Sequence, residues 1–282
     1  MYSEICNKKL SPPVLPDNYL MQSLNCENPT IEIISENFKK SDVVALVRLF
    51  SSVEFCGSVA GIVFRSNEKK QPSLNGPRMG GAQAKRTTVR KRAATDSNAA
   101  DSNRPAPELV KVVAKLLKRA SSLKTLTVIG VSLVNADFRV LSRGLCLNTE
   151  AVLSQLTFLR VRTMGDAGLA ELSPALCACK AVSIRIVDCN ISDFGGVYVA
   201  SIIRSHGARR DEAIWSAGLR GKAVEAHSEE CPKEIPTIGV LVLDFSVNRL
   251  GDNSAQAISE ALSNDSWLLG LNLGGNNMSD KG

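Results

Sequence analysis

Cysteine and histidine side chains are the groups in this sequence best suited to hold a metal ion. A loose group of them lies in the second half of the chain: Cys177, Cys179, His206, His227 and Cys231. Standard zinc motifs combine two close pairs, such as C-x₂₋₄-C with H-x₃₋₅-H, and the spacing of these five residues matches no standard zinc pattern. The sequence therefore favours buried or incidental side chains here, and we predict no metal site.

Groups for catalysis and for phosphate binding are also few. The two histidines of the chain both lie in one polar stretch, and no Ser/His/Asp or Cys/His set can be assembled around them. Glycines at Gly76, Gly80 and Gly81 precede Lys85, but no Gly-Lys-Ser/Thr follows them and no strand directly precedes them. We therefore predict that the protein is not an enzyme and binds no cofactor.

Positive charge is concentrated in the short run KRTTVRKR. The net charge is +6, and this run alone holds Lys85, Arg86, Arg90, Lys91 and Arg92. Such a run is typical of a nuclear-import signal or of contact with an acidic surface such as nucleic acid or the microtubule. It is equally typical of a solvated loop. Because no aromatic residues for base stacking are interleaved, nucleic acid is not the expected partner.

Composition predicts where the protein works. The eight cysteines show no regular pairing, and the first 20 residues contain no apolar leader segment. Apolar runs such as Val43 to Val47 are far shorter than the roughly 18 residues needed to span a membrane. A reducing, cytoplasmic location is expected, without membrane contact.

The sequence contains an internal repeat, and this repeat predicts the strands and helices of the fold. The last segment, LLGLNLGGNNMSDKG, fits the leucine-rich-repeat template L-x-x-L-x-L-x-x-N-x-L. Its matching positions are Leu268, Leu271, Leu273, Asn276, Met278 and Gly282. Leu271 and Leu273 lie two apart on a short strand and share one face, while Asn276 can satisfy backbone groups where the chain turns.

Four more copies are predicted upstream. Their leading residues are Leu123, Leu126 and Val128; Leu156, Leu159 and Val161; Ile184 and Ile186, with Cys189 in the asparagine position; and Ile238, Leu241 and Leu243. The second strand positions, ending at Leu273, are then separated by 33, 25, 57 and 30 residues, which indicates a period of roughly 28 to 30. Strands alternating with helices of this length predict an α/β leucine-rich-repeat solenoid, a horseshoe with a concave parallel sheet and convex helices.

The predicted organisation is an N-terminal segment, 1–30, followed by a repeat domain, 31–282. Strands are expected at Ile31 and Ile33 and at Val59, Ile62 and Phe64, and helices over Asp42 to Val53, Pro107 to Ala120, Phe138 to Leu145 and Ser254 to Leu262. Two insertions interrupt the repeats. The first, 66–106, is basic and predicted to be disordered; the second, 206–237, follows a helix ending near Arg204 and is predicted to be helical over Arg209 to Leu219.

Two segments resemble a known family. ARRDEAIWSAGLR in the second insertion and ALSNDSWLLGLNL after it are similar to the centrosomal protein of 78 kDa family. The residues that carry the resemblance are Arg209, Arg210, Glu212, Trp215, Leu219 and Arg220, then Leu262, Ser263, Asp265, Trp267 and Leu268. The resemblance implies a non-enzymatic role at the centrosome or basal body, in cilium assembly, and in regulating a ubiquitin ligase by binding it. Since the chain stops halfway through a repeat, without that family's further repeats, coiled coil and tail, we expect a fragment.

Candidate binding residues follow from the repeat and from the insertion. Arg160 and Arg162 flank Val161, and Arg185 precedes Ile186, so all three arginines are predicted to form a basic ridge on the concave sheet. Such a ridge would receive an acidic protein segment. The alternative is that exposed strand positions simply favour polar residues.

The second insertion adds further candidates, Arg209, Arg210 and Trp215. Tryptophan is enriched at interface hot spots, although packing of the insertion onto the repeats by Trp215 is the favoured alternative. The function predicted is thus a protein-binding scaffold or adaptor. Two alternatives are a generic cytosolic leucine-rich-repeat adaptor and a regulator of the kind that activates GTP hydrolysis by Ran, which would accelerate GTP hydrolysis in a simple assay.

Overall fold

A computed structural model describes residues 30–35, 43–44, 46–47, 56, 58–66, 104–148, 153–219 and 239–282. The strands are β1 Thr30–Ile34, β2 Gly61–Arg65, β3 Thr125–Ile129, β4 Gln155–Leu159, β5 Ser183–Val187, β6 Val242–Asp244 and β7 Gly270–Asn272. The α-helices of this described part are α1 Pro107–Arg119, α2 Asn135–Cys146, α3 Gly165–Ala178, α4 Gly196–Leu219 and α5 Asp252–Leu262.

The seven strands form one parallel sheet in chain order, so that each strand pairs with the next one along the sequence. From α1 to α5 each helix likewise packs on the next. A fold in which every unit contacts only its neighbours is typical of repeat proteins. The predicted α/β class and single parallel sheet are therefore confirmed.

Alternation along the strands separates two faces of the sheet. In β3, Leu126 and Val128 are buried, whereas Thr125, Thr127 and Ile129 are only partly buried. Successive side chains of a strand point to opposite faces, so one face enters the core and the other is left open to solvent. We call the second one the open face.

The buried face and the helices share one continuous apolar core. Phe138 on α2 is fully buried, and a Cβ at Gly168 on α3 would lie 2.9 Å from its ring. A Cβ at Gly144 would similarly lie 2.7 Å from the Ala114 carbonyl oxygen of α1. Both glycines therefore permit the close approach of neighbouring helices that a continuous core requires.

Strand pairing corrects two of the predicted repeats. Leu156 and Phe158 pair with Leu126 and Val128, so Leu159 and Val161 are not the inward strand positions. Val161 is buried beyond the strand, at the position that asparagine fills in other repeats. The sequence pattern was misleading because Phe158 occupies the second inward position, where an aliphatic residue was expected.

The same error affects the repeat at β6. Leu243 pairs with Leu271 and with Ile184, which makes it the first inward residue and Phe245 the second; Ile238 and Leu241 are not inward strand residues of β6. With this correction, the second inward positions Val128, Phe158, Ile186, Phe245 and Leu273 are separated by 30, 28, 59 and 28 residues. The spacing is more regular than the sequence alone suggested.

The long interval belongs to a single unit, because β5 pairs directly with β6. The prediction that a helix ends near Arg204 is wrong, since α4 continues unbroken to Leu219 and includes the helix predicted over Arg209 to Leu219. The predicted strands at Ile31 and Ile62 and the helices at Pro107, Phe138 and Ser254 are confirmed.

Other predictions lie outside the described residues, wholly or in large part. These are the N-terminal segment 1–29, the disordered insertion over 67–103, the end of the second insertion over 220–238, and most of the helix predicted over Asp42 to Val53.

Asparagine side chains hold the turn after the strand in two of the units, as the template predicts, and Asn248 is the one that was not predicted from the sequence. Asn276 accepts from the Leu250 amide at 3.0 Å and donates to the Leu273 carbonyl at 2.7 Å. Asn248 is buried, accepts from the Cys189 amide at 3.0 Å and donates to the Ile186 carbonyl at 2.7 Å. Because a buried backbone group without a partner is costly, these amides hold the turns that follow the strands.

Aspartates at the starts of helices join each unit to the next. The carboxylate of Asp166 accepts from the Ser192 amide at 2.8 Å, and that of Asp252 accepts from the Ser279 amide at 2.7 Å. Asp193 does the same for the Gly251 amide at 2.9 Å. Each carboxylate also lies near a positive helix N-terminus, which adds to its stabilisation.

Candidate functional site

The open face presents one residue from every strand along its middle. The residues in register are Glu32, Val63, Thr127, Thr157, Arg185, Asp244 and Asn272. They are short or charged side chains at the centre of a sheet without a second layer over it in the described part of the chain. This row is the floor of the candidate interface.

Arg185 lies on the open face, as the sequence predicted, but it is paired. Its Nε lies 3.3 Å from the Asp244 carboxylate on the neighbouring strand. Asp244 also accepts from the hydroxyl of Ser246 at 2.6 Å. Burial raises the pKa of Asp244, but the hydrogen bonds from Ser246 and Arg185 outweigh it and hold the pKa below its ordinary value.

Arg160 and Arg162 follow β4 rather than belonging to it, so they do not flank an inward strand residue. Arg162 is exposed and forms a two-nitrogen ion pair with Asp188, with its Nη2 at 2.8 Å and its Nε at 3.1 Å. The hydrogen bond to Asp188 raises the pKa of Arg162. The geometry assumed for a continuous basic ridge on the sheet is therefore wrong, since only Arg185 is a strand residue and two of the three arginines pair with aspartates.

Apolar side chains line one end of the open face. Ile129, Leu159 and Val187 are the last residues of β3, β4 and β5, lie in register with one another, and are partly exposed. They alternate with the buried positions of the same strands and are therefore on the open side. We call these three residues the rim strip.

Arg209 serves the fold. Its guanidinium donates to the Ala178 carbonyl at 2.7 Å and to the Cys179 carbonyl at 3.1 Å. These carbonyls end α3, where a helix leaves backbone acceptors without partners. Arg209 thus ties α4 to the end of α3, and its predicted contact with a partner stays a prediction.

Arg210 is the largest fully buried side chain among the residues that the structure describes, with an exposed fraction of 1%. It donates to the Gly239 carbonyl and, at 2.8 Å, to the Val240 carbonyl, and it lies 5.8 Å from the centre of the Trp267 ring. Burial lowers its pKa. The structure therefore places Arg210 inside the fold, so it is not displayed for a surface partner as the sequence analysis predicted.

Trp267 joins the two segments that carry the family resemblance. Its indole N–H donates to the Asp211 carboxylate at 2.9 Å, and its backbone amide donates to Asp265 at 3.1 Å. Together with Arg210, these contacts clamp α4 to the strand unit that follows it. Three of the residues that carry the resemblance, Arg210, Asp265 and Trp267, therefore hold this clamp.

Trp215 lies farther along α4 and is not part of the clamp. Its exposed fraction is 66%, and that of the adjacent Ile214 is 44%. A tryptophan this exposed is available to a partner, and the alternative that Trp215 packs against the repeats is not what the described residues show. Its predicted role in binding stays a prediction.

His206 has a structural role inside the fold. It is buried, its Nε2 lies 2.8 Å from the Leu176 carbonyl, and its Nδ1 accepts from the Val240 amide at 3.2 Å. Burial lowers its pKa to about 4. The described residues contain no group of three or more potential metal ligands; His227 and Cys231 lie outside them.

None of the helices in the described part of the chain is long and apolar enough to cross a membrane. Fold and site together define a class: an α/β protein of repeated strand and helix units, with one face of its parallel sheet exposed.

Comparison with known proteins makes this class more specific. The chain is 28% identical over 168 residues to centrosomal protein of 78 kDa from Homo sapiens, covering 59% of this chain and 23% of that protein. It is 27% identical over 170 residues to the protein of the same name from Mus musculus, covering 59% of this chain and 20% of the relative. No family model matches.

The similarity confirms the resemblance found in the sequence and supports a family-level relation to centrosomal protein of 78 kDa. The chain spans less than a quarter of the length of these relatives.

Proposed function

We propose that this chain is a non-enzymatic protein-binding scaffold of the centrosome, built as a leucine-rich-repeat horseshoe. The centrosomal location is supported by the names of both relatives. The repeat assignment is supported by the template positions: aliphatic or aromatic residues point inward at regular spacing, and Cys189, Asn248 and Asn276 follow them.

One observation carries the binding role. Seven parallel strands lie in chain order with one face in the core, and the middle row of the other face is half-buried or exposed in the described residues, except at the buried Asp244. An extended exposed sheet is the surface that solenoid proteins use to hold other proteins. Recognition there needs shape and polarity but no reactive group, which is consistent with a scaffold.

The partner proposed is another protein, with a ubiquitin-ligase component as the candidate implied by the resemblance. A place at the basal body and a role in cilium assembly belong to the same proposal. The ion pairs Arg162–Asp188 and Arg185–Asp244 neutralise much of the predicted basic ridge. An acidic segment is therefore less well supported as the partner than the sequence suggested.

Imaging tests the proposal. The chain, tagged at its N-terminus with a fluorescent protein, is expressed in a ciliated cell and compared with a centrosomal marker. The proposal predicts a focus that coincides with the marker, and a uniformly diffuse signal would contradict it.

Two variants test whether the centrosomal location depends on the open face. Thr157→Arg places a long charged side chain at the middle of that face, and it should reduce the centrosomal signal several-fold. Val197→Arg is the matched control because Val197 is 55% exposed on α4, away from the sheet. Equal loss in both variants would argue against the open face.

A further inference from the structure

A left-handed backbone conformation recurs just after the strands. Gly130, Arg160, Asp188, Val247 and Gly275 each stand two residues beyond the second inward position, and their φ angles are 63°, 56°, 53°, 57° and 73°. Their amides continue the sheet ladder: Arg160 donates to the Val187 carbonyl at 2.9 Å, and Val247 donates to the Gly274 carbonyl at 2.8 Å. The repeat thus requires this conformation.

Glycine adopts this conformation at little cost, and it occupies the first and the last of these positions. The three central positions carry side chains instead. Valine is the least expected of them, because a β-branched residue at positive φ is a genuine outlier. Val247 is also 54% exposed, so its side chain contributes little to the core. Strain of this kind is often found at binding sites.

Val247 lies next to the rim strip. The amide of Asp188, which directly follows Val187, donates to the Ser246 carbonyl at 3.4 Å, so the ends of β5 and β6 are adjacent. In the register of β5 and β6, Ser246 lies opposite Val187 and Val247 lies opposite Asp188. The apolar border therefore consists of the rim strip, Ile129, Leu159 and Val187, with the exposed Val247 one residue beyond it on the next unit.

Three arginines beside this border are paired with carboxylates of the protein. Arg162 pairs with Asp188 at 2.8 Å, Arg185 pairs with Asp244 at 3.3 Å, and Arg65 pairs with Glu32. A strongly charged partner would have to compete with these pairs, whereas an apolar one would not. The complementary surface is therefore uncharged and apolar.

We infer that the rim strip together with Val247 is the anchor point for the partner, and that it receives an uncharged protein segment with aliphatic or aromatic side chains. This inference rests on the proposed function, because it names the partner chemistry of the same open face. Val247 is kept at a position suited to glycine because its side chain contacts that segment.

A peptide selection tests the inference. A phage library of random dodecapeptides is panned against the full chain, and the consensus peptide is synthesised and titrated by fluorescence anisotropy. The expected consensus holds at least two aliphatic or aromatic residues and no net charge. A charged consensus, or none, would overturn the inference.

Two valine variants give the sharper test. Val247→Gly should lower the affinity for the consensus peptide about ten-fold, since one buried side-chain contact is lost. The same variant should raise Tm by about 2 °C, because strain is relieved. Val197→Ala, the matched control on α4, should change affinity less than about two-fold. If Val247→Gly left the affinity unchanged, Val247 would not be an anchor.

Thr157→Arg separates this inference from the proposed function. If it abolishes peptide binding while Val247→Gly does not, the open face binds but the anchor is elsewhere, and only the inference is wrong. If neither substitution affects binding, the proposed use of the open face is wrong as well.

Discussion

Two regions of the molecule use arginine in opposite ways. On and beside the open face, Arg162 and Arg185 are exposed and pair with aspartates of the neighbouring unit. Around α4, Arg209 and Arg210 turn inward and donate to backbone carbonyls. The difference shows that residue type alone does not identify a binding surface: arginines paired with carboxylates stay at the surface of the sheet, whereas arginines held by backbone carbonyls support the fold.

The largest effect should come from Arg210→Ala. The substitution leaves the buried Gly239 and Val240 carbonyls without their donor and removes the contact with Trp267, so we expect a loss of about 4 kcal/mol in the free energy of unfolding. Urea denaturation of the full chain measures it. A loss below about 1 kcal/mol would mean that Arg210 contributes no more to stability than the surface arginines do, and it would contradict the difference between the two regions.

The second-largest effect is expected on acidification, which should lower the stability of the region around α4. Burial lowers the pKa of His206 from its ordinary 6.5 to about 4, so the unfolded chain takes up this proton first as the pH falls. The contribution of His206 to stability is complete above about pH 6.5 and is lost as the pH falls to about 4, by up to about 3 kcal/mol.

Urea midpoints measured across this pH range test the effect of His206. The variant His206→Gln has no group that titrates there and should show a flatter profile. An equally steep profile in the variant would assign the acid sensitivity to other groups.

Arg209→Ala should have a smaller effect, about 1 kcal/mol. Its guanidinium is partly exposed, and water can replace it at the carbonyls that end α3. Hydrogen exchange should show faster opening of the last turn of α3 and little change in α1. If α1 and α3 responded equally, Arg209 would not act as a local cap.

The smallest effects are expected on the open side. Arg162→Ala and Arg185→Ala should each change stability by less than about 1 kcal/mol, because both guanidiniums are more than half exposed to water. Thermal unfolding of both variants measures this. A loss as large as that of Arg210→Ala would mean that these pairs hold the units together.

The repeat could be predicted because its signal is periodic. Leu271 and Leu273, Ile184 and Ile186, and the helices after them follow from spacing alone. The strand at Phe158 could not be assigned in the same way, since Leu159 and Val161 offered an apolar pair at nearly the same spacing. Only pairing with Val128 and Ile186 distinguishes the two alignments.

The site was less predictable than the fold because its contacts are distant in sequence. Arg210 meets Trp267 across the β6 unit, and Arg185 meets Asp244 on the neighbouring strand. A local pattern shows that an arginine is present, but not which partner lies opposite it. The template did contain a signal for Asn248, because Val240, Leu243 and Phe245 lead to it at the expected spacing.

Site-specific photo-crosslinking tests most directly the claim that the open face holds a partner. A photoreactive phenylalanine analogue replaces Thr157 on the open face or Val197 on α4, and the tagged chain is irradiated in ciliated cells. The account predicts a discrete protein adduct from position 157, enriched with centrosomes, and none from position 197. Adducts from position 197 alone would contradict it and place the binding surface on the helical layer.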